Sequence, residues 1–151
     1  FIGPIQSNKT RQIAAHFSWV HSVDRGKILR RLSEHREGSD EPLNVCLQVN
    51  VSGEASKAGV APAELPGLLQ EALTLPHLRL RGLMAIPAPE TSFERQYEAC
   101  MALVECYERG REVHPALDTL SIGMSADMEA AVAAGSTMLR IGTAIFGARS
   151  G

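Results

Sequence analysis

Two hydrophobic periods take turns along this chain. Val20 to Val23, Asn44 to Val51, Leu80 to Ile86, Thr119 to Met124 and Met138 to Ile145 are short apolar or alternating runs, bounded by turn-forming residues, that predict β-strands. Between them apolar residues return every three or four positions. Ile28, Leu29 and Leu32 mark one face of a helix over Arg25 to His35, and Phe93, Tyr97, Met101 and Val104 mark another over Phe93 to Arg109. Lys9 to Phe17, a segment that opens near Pro62 and ends near Leu73, and Ala126 to Ala134 are the other helical stretches. Phe1 to Gly3 has the pattern of a strand's end. Pro87 and Pro89 stop the strand before them, and Gly135 suits the position just past a helix.

Six strands alternating with five helices predict an α/β fold of parallel βα units, with helices covering the sheet. In such folds the chemistry gathers at the carboxyl ends of the strands. Here those ends are Gly3 to Asn8, Asn50 to Ser52, Met84 to Pro89, Gly123 to Ser125 and Gly142 to Thr143. Six units are fewer than the eight that close a barrel, and the chain opens directly on apolar strand residues. The expectation is therefore an open sheet, or a single partial (β/α) barrel domain over residues 1–151 that lacks its first two βα units.

Composition narrows the function classes. With 15 basic and 17 acidic residues the net charge is −2, which gives no electrostatic support for nucleic acid or an anionic membrane as partner. Lys27, Arg30, Arg31 and Arg36 read as a solvated helix face. No apolar run approaches the roughly 18 residues of a membrane span and no signal-peptide pattern opens the chain, so a soluble cytoplasmic protein is expected. Cys46, Cys100 and Cys106 form no CxxC and read as reduced packing residues, and the five histidines lack metal-ligand spacing. No metal site is expected.

Candidate chemistry concentrates in Thr119 to Gly147, TLSIGMSADMEAAVAAGSTMLRIGTAIFG, which carries two strand-to-turn transitions able to converge on one phosphate. A small residue at each strand exit lets backbone N–H groups approach an anion, and Ser125 and Thr143 each add a hydroxyl. Arg140 stands inside an otherwise apolar run. A buried guanidinium needs an acceptor, which could be a bound ligand or a carboxylate from a neighbouring strand. Asp127 and Glu129 suit the first turn of a helix without any catalytic role.

Four segments, in order, resemble one family: Phe1-Ile2-Gly3-Pro4-Ile5-Gln6-Ser7-Asn8-Lys9, Arg81-Gly82-Leu83-Met84-Ala85-Ile86-Pro87, Gly123-Met124-Ser125, and Arg140-Ile141-Gly142-Thr143-Ala144-Ile145-Phe146-Gly147. The chain resembles the pyridoxal phosphate homeostasis proteins, which share the barrel of alanine racemase. The resemblance implies that Ser125, Gly142 and Thr143 cup the phosphate of pyridoxal 5′-phosphate, that Arg140 faces its pyridine nitrogen and that Met84 lines its ring. An arginine there keeps the nitrogen unprotonated and weakens the ring as an electron sink. The family's Schiff-base lysine follows the first barrel strand, a segment this chain does not contain. Lys57, in the Ser56-Lys57 pair, reads as a solvated loop lysine instead.

The function implied is binding and homeostasis of pyridoxal 5′-phosphate, held and delivered to apo-enzymes without dedicated turnover and with no catalytic residue assigned. Two alternatives stay open. One is a racemase-like pyridoxal-phosphate enzyme that borrows a base from outside this segment. The other is a barrel enzyme acting on a small phosphorylated metabolite, since phosphate cups after late strands are common in such barrels.

Overall fold

The computed structural model describes residues 1–54 and 57–147. A 3-10 turn at Ser7–Lys9 leads into α1 (Thr10–His16), followed by β1 (Trp19–Val23), α2 (Gly26–Arg36), β2 (Leu43–Gln48), α3 (Leu65–Leu73), β3 (Leu78–Met84), α4 (Phe93–Val113), β4 (Thr119–Ser121), α5 (Met128–Ala133) and α6 (Thr143–Phe146). The four strands form one parallel sheet in the order β1-β2-β3-β4. Each crossover carries a helix, as parallel pairing requires.

Strand alternation decides what each face of the sheet does. Val20 and Val23, then Leu43, Val45 and Leu47, then Leu78, Leu80 and Leu83, then Leu120 and Ile122 join the apolar cluster shared with the helices. Ile28, Leu29 and Leu32 of α2, Leu65, Leu68 and Leu69 of α3, and Leu103 and Tyr107 of α4 belong to that cluster. The opposite, inner face is largely polar. It carries Trp19, His21, Asn44, Cys46, Gln48, Arg81, Met84, Thr119 and Ser121. Cys46 and Met84 are fully buried yet lie outside the apolar cluster.

Gly82 sets the contact between β3 and β4. A Cβ built there would fall 1.7 Å from the Thr119 carbonyl oxygen, so only glycine lets the two backbones pair at this point. At the amino-terminal end of the inner face, Arg81 closes a polar circuit. Its Nε donates to both carboxylate oxygens of Asp118 (3.0 and 3.1 Å) and its Nη1 to Asn44 Oδ1 (3.0 Å). The guanidinium also lies 4.6 Å from the centre of the Trp19 ring.

Both outer strands of the six expected are reduced to edge contacts. The Phe1 ammonium donates to the Trp19 carbonyl (2.6 Å) and the His21 N–H to the Phe1 carbonyl (2.9 Å), the slanted pattern of a parallel neighbour without a full strand. At the other edge, the strand expected over Met138 to Ile145 is replaced by a single bridge between Met138 and Ser121, after which Thr143–Phe146 turns helical. Ile145 and Phe146 are 68% and 85% exposed here. Arg140 is accordingly half-buried in an irregular segment rather than embedded in a strand.

Candidate functional site

The carboxyl end of β4 runs into a turn that requires glycine. Gly123 has φ +102°, and a Cβ there would come within 2.5 Å of Ala131 Cβ and 2.7 Å of a Leu139 methyl. Asp127 then shapes the turn: its carboxylate accepts from the Met124 N–H at 2.7 Å, while the Asp127 N–H donates to the Met124 carbonyl at 3.3 Å. That engagement accounts for Asp127 as a turn-building residue. Ser125 follows, half-buried, and its Oγ accepts from the Ala144 N–H at 3.2 Å.

This bond joins the two turns that the sequence separates by the whole of α5. Its direction matters. Because Ser125 Oγ is the acceptor, its own O–H proton is left to donate elsewhere. The N–H groups of Ser125, Ala126, Gly142 and Thr143 have no acceptor among the described residues. Together they border a cleft of about 630 Å³, lined by Ile2, Ile86, Ser125, Arg140, Gly142 and Thr143 among others. Its size suits a small organic ligand.

Among the described residues, Arg140 is held by backbone and a hydroxyl, not by a carboxylate. Nη1 donates to the Ser121 carbonyl at 2.8 Å and to Ser121 Oγ at 2.7 Å, and Nη2 donates to the Ala85 carbonyl at 2.8 Å. Its own N–H donates to the Gly123 carbonyl at 2.9 Å. A guanidinium has five N–H donors; three are engaged, leaving Nε–H and one Nη2–H without a partner among the described residues. Burial lowers its pKa from the usual arginine value, with Asp127 acting weakly in the opposite direction. Arginine stays cationic through such a shift.

Beneath Arg140, His21 Nδ1 lies 2.9 Å from Ser121 Oγ. His21 is 4% exposed, and its pKa is lowered to about 4, chiefly by burial, with Arg140 pushing the same way. The ring is therefore neutral at pH 7. The sequence reading missed this pair. Its signal was a His-Ser step inside the otherwise apolar β1 and a serine inside β4, but 100 positions separate His21 from Ser121.

Of the residues expected at the site, the structure brings Ser125, Arg140, Gly142 and Thr143 to one cleft. Met84 is fully buried at the end of β3, beside Ser121 on the inner face, while Ile86 lines the cleft two residues on. Lys57 belongs to the loop after β2, where its N–H donates to the Glu54 carbonyl at 3.0 Å and its carbonyl accepts from Asn50 Nδ2 at 3.3 Å. Cys46 faces the inner side with its thiol pushed up to about 12 by burial, which keeps it protonated and unreactive at neutral pH.

Comparison with known proteins gives a consistent set of similarities. Residues 1–150 match the family described as "Alanine racemase, N-terminal domain". The pyridoxal phosphate homeostasis protein of Pseudomonas aeruginosa is 61% identical over 149 residues, which cover 99% of this chain and 64% of that protein. The chain thus spans about 64% of the length of the curated relatives it matches. Among solved structures, PipY of Synechococcus elongatus without PLP superposes with a TM-score of 0.88 at 34% identity, covering 96% of this chain and 68% of PipY. PipY with PLP bound superposes with a TM-score of 0.82 at the same identity and coverage.

Proposed function

The chain belongs to the alanine racemase N-terminal domain family, within its pyridoxal phosphate homeostasis branch, and from that premise we propose that it forms the phosphate and ring-nitrogen side of a pyridoxal 5′-phosphate site. In this reading the intact protein holds the cofactor and passes it to apo-enzymes rather than turning over a substrate of its own. The observation that carries the reading is the set of donors left over around one cleft. The Ser125 hydroxyl and the N–H groups of Ser125, Ala126, Gly142 and Thr143 suit a phosphate, and the two remaining N–H groups of Arg140 suit an unprotonated ring nitrogen. The residues present fit the group.

Pyridoxal 5′-phosphate supplies a reactive aldehyde and an electron-withdrawing pyridine ring when bound. What this chain's residues do is narrower. Ser125 and the Gly142–Thr143 turn bind the dianion with charge-assisted hydrogen bonds, each about 1.5–3 kcal/mol. Arg140 orients the ring and, as a donor that keeps its protons, holds a proton away from the pyridine nitrogen. That weakens electron withdrawal, as suits a carrier. Ile86 and Ile2 border the cleft with apolar surface that limits water.

The test is titration of the intact protein with pyridoxal 5′-phosphate, followed by absorbance, alongside a search for exchange of amino-acid α-protons. Saturable binding without exchange supports a carrier. Saturable binding with rapid exchange would replace the carrier reading by the racemase-like one, and no binding would remove both.

A further inference from the structure

We infer that Ser121 and His21 are positioning residues for the ring-nitrogen contact, fixing Arg140 through a one-directional chain of hydrogen bonds on the inner face of the sheet. The inference rests on the cofactor reading above, and it concerns two residues to which that reading gives no role. Arg140 Nη1 donates both of its hydrogens to Ser121, one to the carbonyl at 2.8 Å and one to Oγ at 2.7 Å. Oγ, already accepting from Arg140, keeps its single proton, and we assign neutral His21 the tautomer with Nδ1 bare, 2.9 Å away, so that the proton goes to it. The chain is then Nη1–H to Oγ, followed by Oγ–H to Nδ1.

The chain has a geometric result. With Nη2 on the Ala85 carbonyl, the guanidinium is anchored at the carboxyl ends of both β3 and β4, so its plane cannot swing while those strands stay paired. The remaining donors then keep a constant direction. Removing the Ser121 hydroxyl deletes one anchor and leaves the His21 nitrogen without its donor.

Direction also depends on His21 remaining unprotonated. The groups that face it are cationic or neutral: Arg140 beyond Ser121, the Trp19 ring at 5.8 Å, and on β2 the protonated Cys46 thiol of the same inner face. Protonation would put a second cation on the hydroxyl that Arg140 already uses and would turn the Ser121 proton away. The arrangement is built for a neutral histidine.

The experiment uses the intact protein with Ser121→Ala, Ser121→Thr and His21→Leu, and two probes. Pyridoxal 5′-phosphate reports on the whole site; benzyl phosphate keeps the phosphate and a ring but has no ring nitrogen. Ser121→Ala is expected to weaken pyridoxal 5′-phosphate about fivefold, the weight of one hydrogen bond, and to shift the absorbance maximum of the bound cofactor, with benzyl phosphate affinity unchanged. Ser121→Thr keeps the hydroxyl and restores both readouts, and His21→Leu shifts the absorbance in the same direction as Ser121→Ala. The inference is overturned if Ser121→Ala and His21→Leu leave affinity and spectrum unchanged while Ser125→Ala weakens binding. It is equally overturned if Ser121→Ala weakens both probes alike without rescue by threonine. Failure of the unaltered protein to take up pyridoxal 5′-phosphate would overturn the cofactor reading and this inference together.

Discussion

Two arginines stand at opposite ends of one sheet, and among the described residues only one of them has a carboxylate to bind. At the amino-terminal end Arg81 grips both oxygens of Asp118, bonds Asn44 and stacks on Trp19, so charge and hydrogen bonds close within the chain. At the carboxyl end Arg140 rests on two backbone carbonyls and a hydroxyl, beside turns whose N–H groups have no acceptor among the described residues. The first arrangement is complete in itself and contributes to stability. The second leaves positive charge and directed donors facing a cleft, which is what an anionic ligand needs. One residue type therefore does structural or binding work according to whether its counter-charge is built into the fold.

The largest expected effect removes the frame that both ends share. Gly82→Val would drive a side chain into the Thr119 carbonyl and separate β3 from β4, costing about 3 kcal/mol or more by urea denaturation. An effect below about 1 kcal/mol would show that the two strands do not depend on this close approach.

The next prediction acts on the carboxyl end alone. Ser125→Ala with Thr143→Val deletes two hydroxyl donors from exposed or half-buried turns, so pyridoxal 5′-phosphate affinity should fall at least about tenfold with little change in melting temperature. Unchanged affinity would dismiss the phosphate cup.

Truncating each arginine sharpens the contrast further. Arg140→Met should weaken the cofactor about tenfold. Arg81→Met should leave affinity untouched and reduce stability by about 1 kcal/mol or less, since its pair with Asp118 is partly solvated. Equal effects of the two substitutions on affinity would erase the distinction between the ends.

The remaining effect is in acid. Burial holds His21 down from 6.5 to about 4, so the unfolded chain binds the extra proton across that interval; its contribution is complete above about 6.5 and is lost as pH falls toward about 4. The hydrogen bond from Arg81 lowers Asp118 below its usual 3.8, so its contribution is present above that value and disappears as pH falls through the depressed pKa. Urea midpoints measured against pH should therefore flatten between 6.5 and 4 in His21→Leu, and only below 3.8 in Asp118→Asn.

The alternation of elements was legible in the sequence because each strand has a buried face and each helix a stripe, and both leave periodic traces. Met138 to Ile145 reads as a strand from its apolar run, whereas only Met138 pairs and Thr143–Phe146 turns helical. The acceptors of Arg140 were not legible, since two of the three are backbone carbonyls, which every residue possesses. Met84 lies on the inner face beside Ser121 because a register shift where Val45 and Cys46 pair with β3 breaks simple alternation, and sequence spacing does not reveal such shifts. The meeting of the Ser125 and Thr143 turns was anticipated from small residues at two strand exits, whereas the His21–Ser121 pair depends on sheet geometry alone.

The most direct measurement is a crystal structure of the intact protein soaked with pyridoxal 5′-phosphate. The account predicts the phosphate between Ser125 and the Gly142–Thr143 turn, with a nitrogen of Arg140 in hydrogen-bond contact with the pyridine nitrogen and the Arg81–Asp118 pair unchanged. Phosphate bound away from both turns, or Arg140 turned from the ring onto a carboxylate, would contradict it.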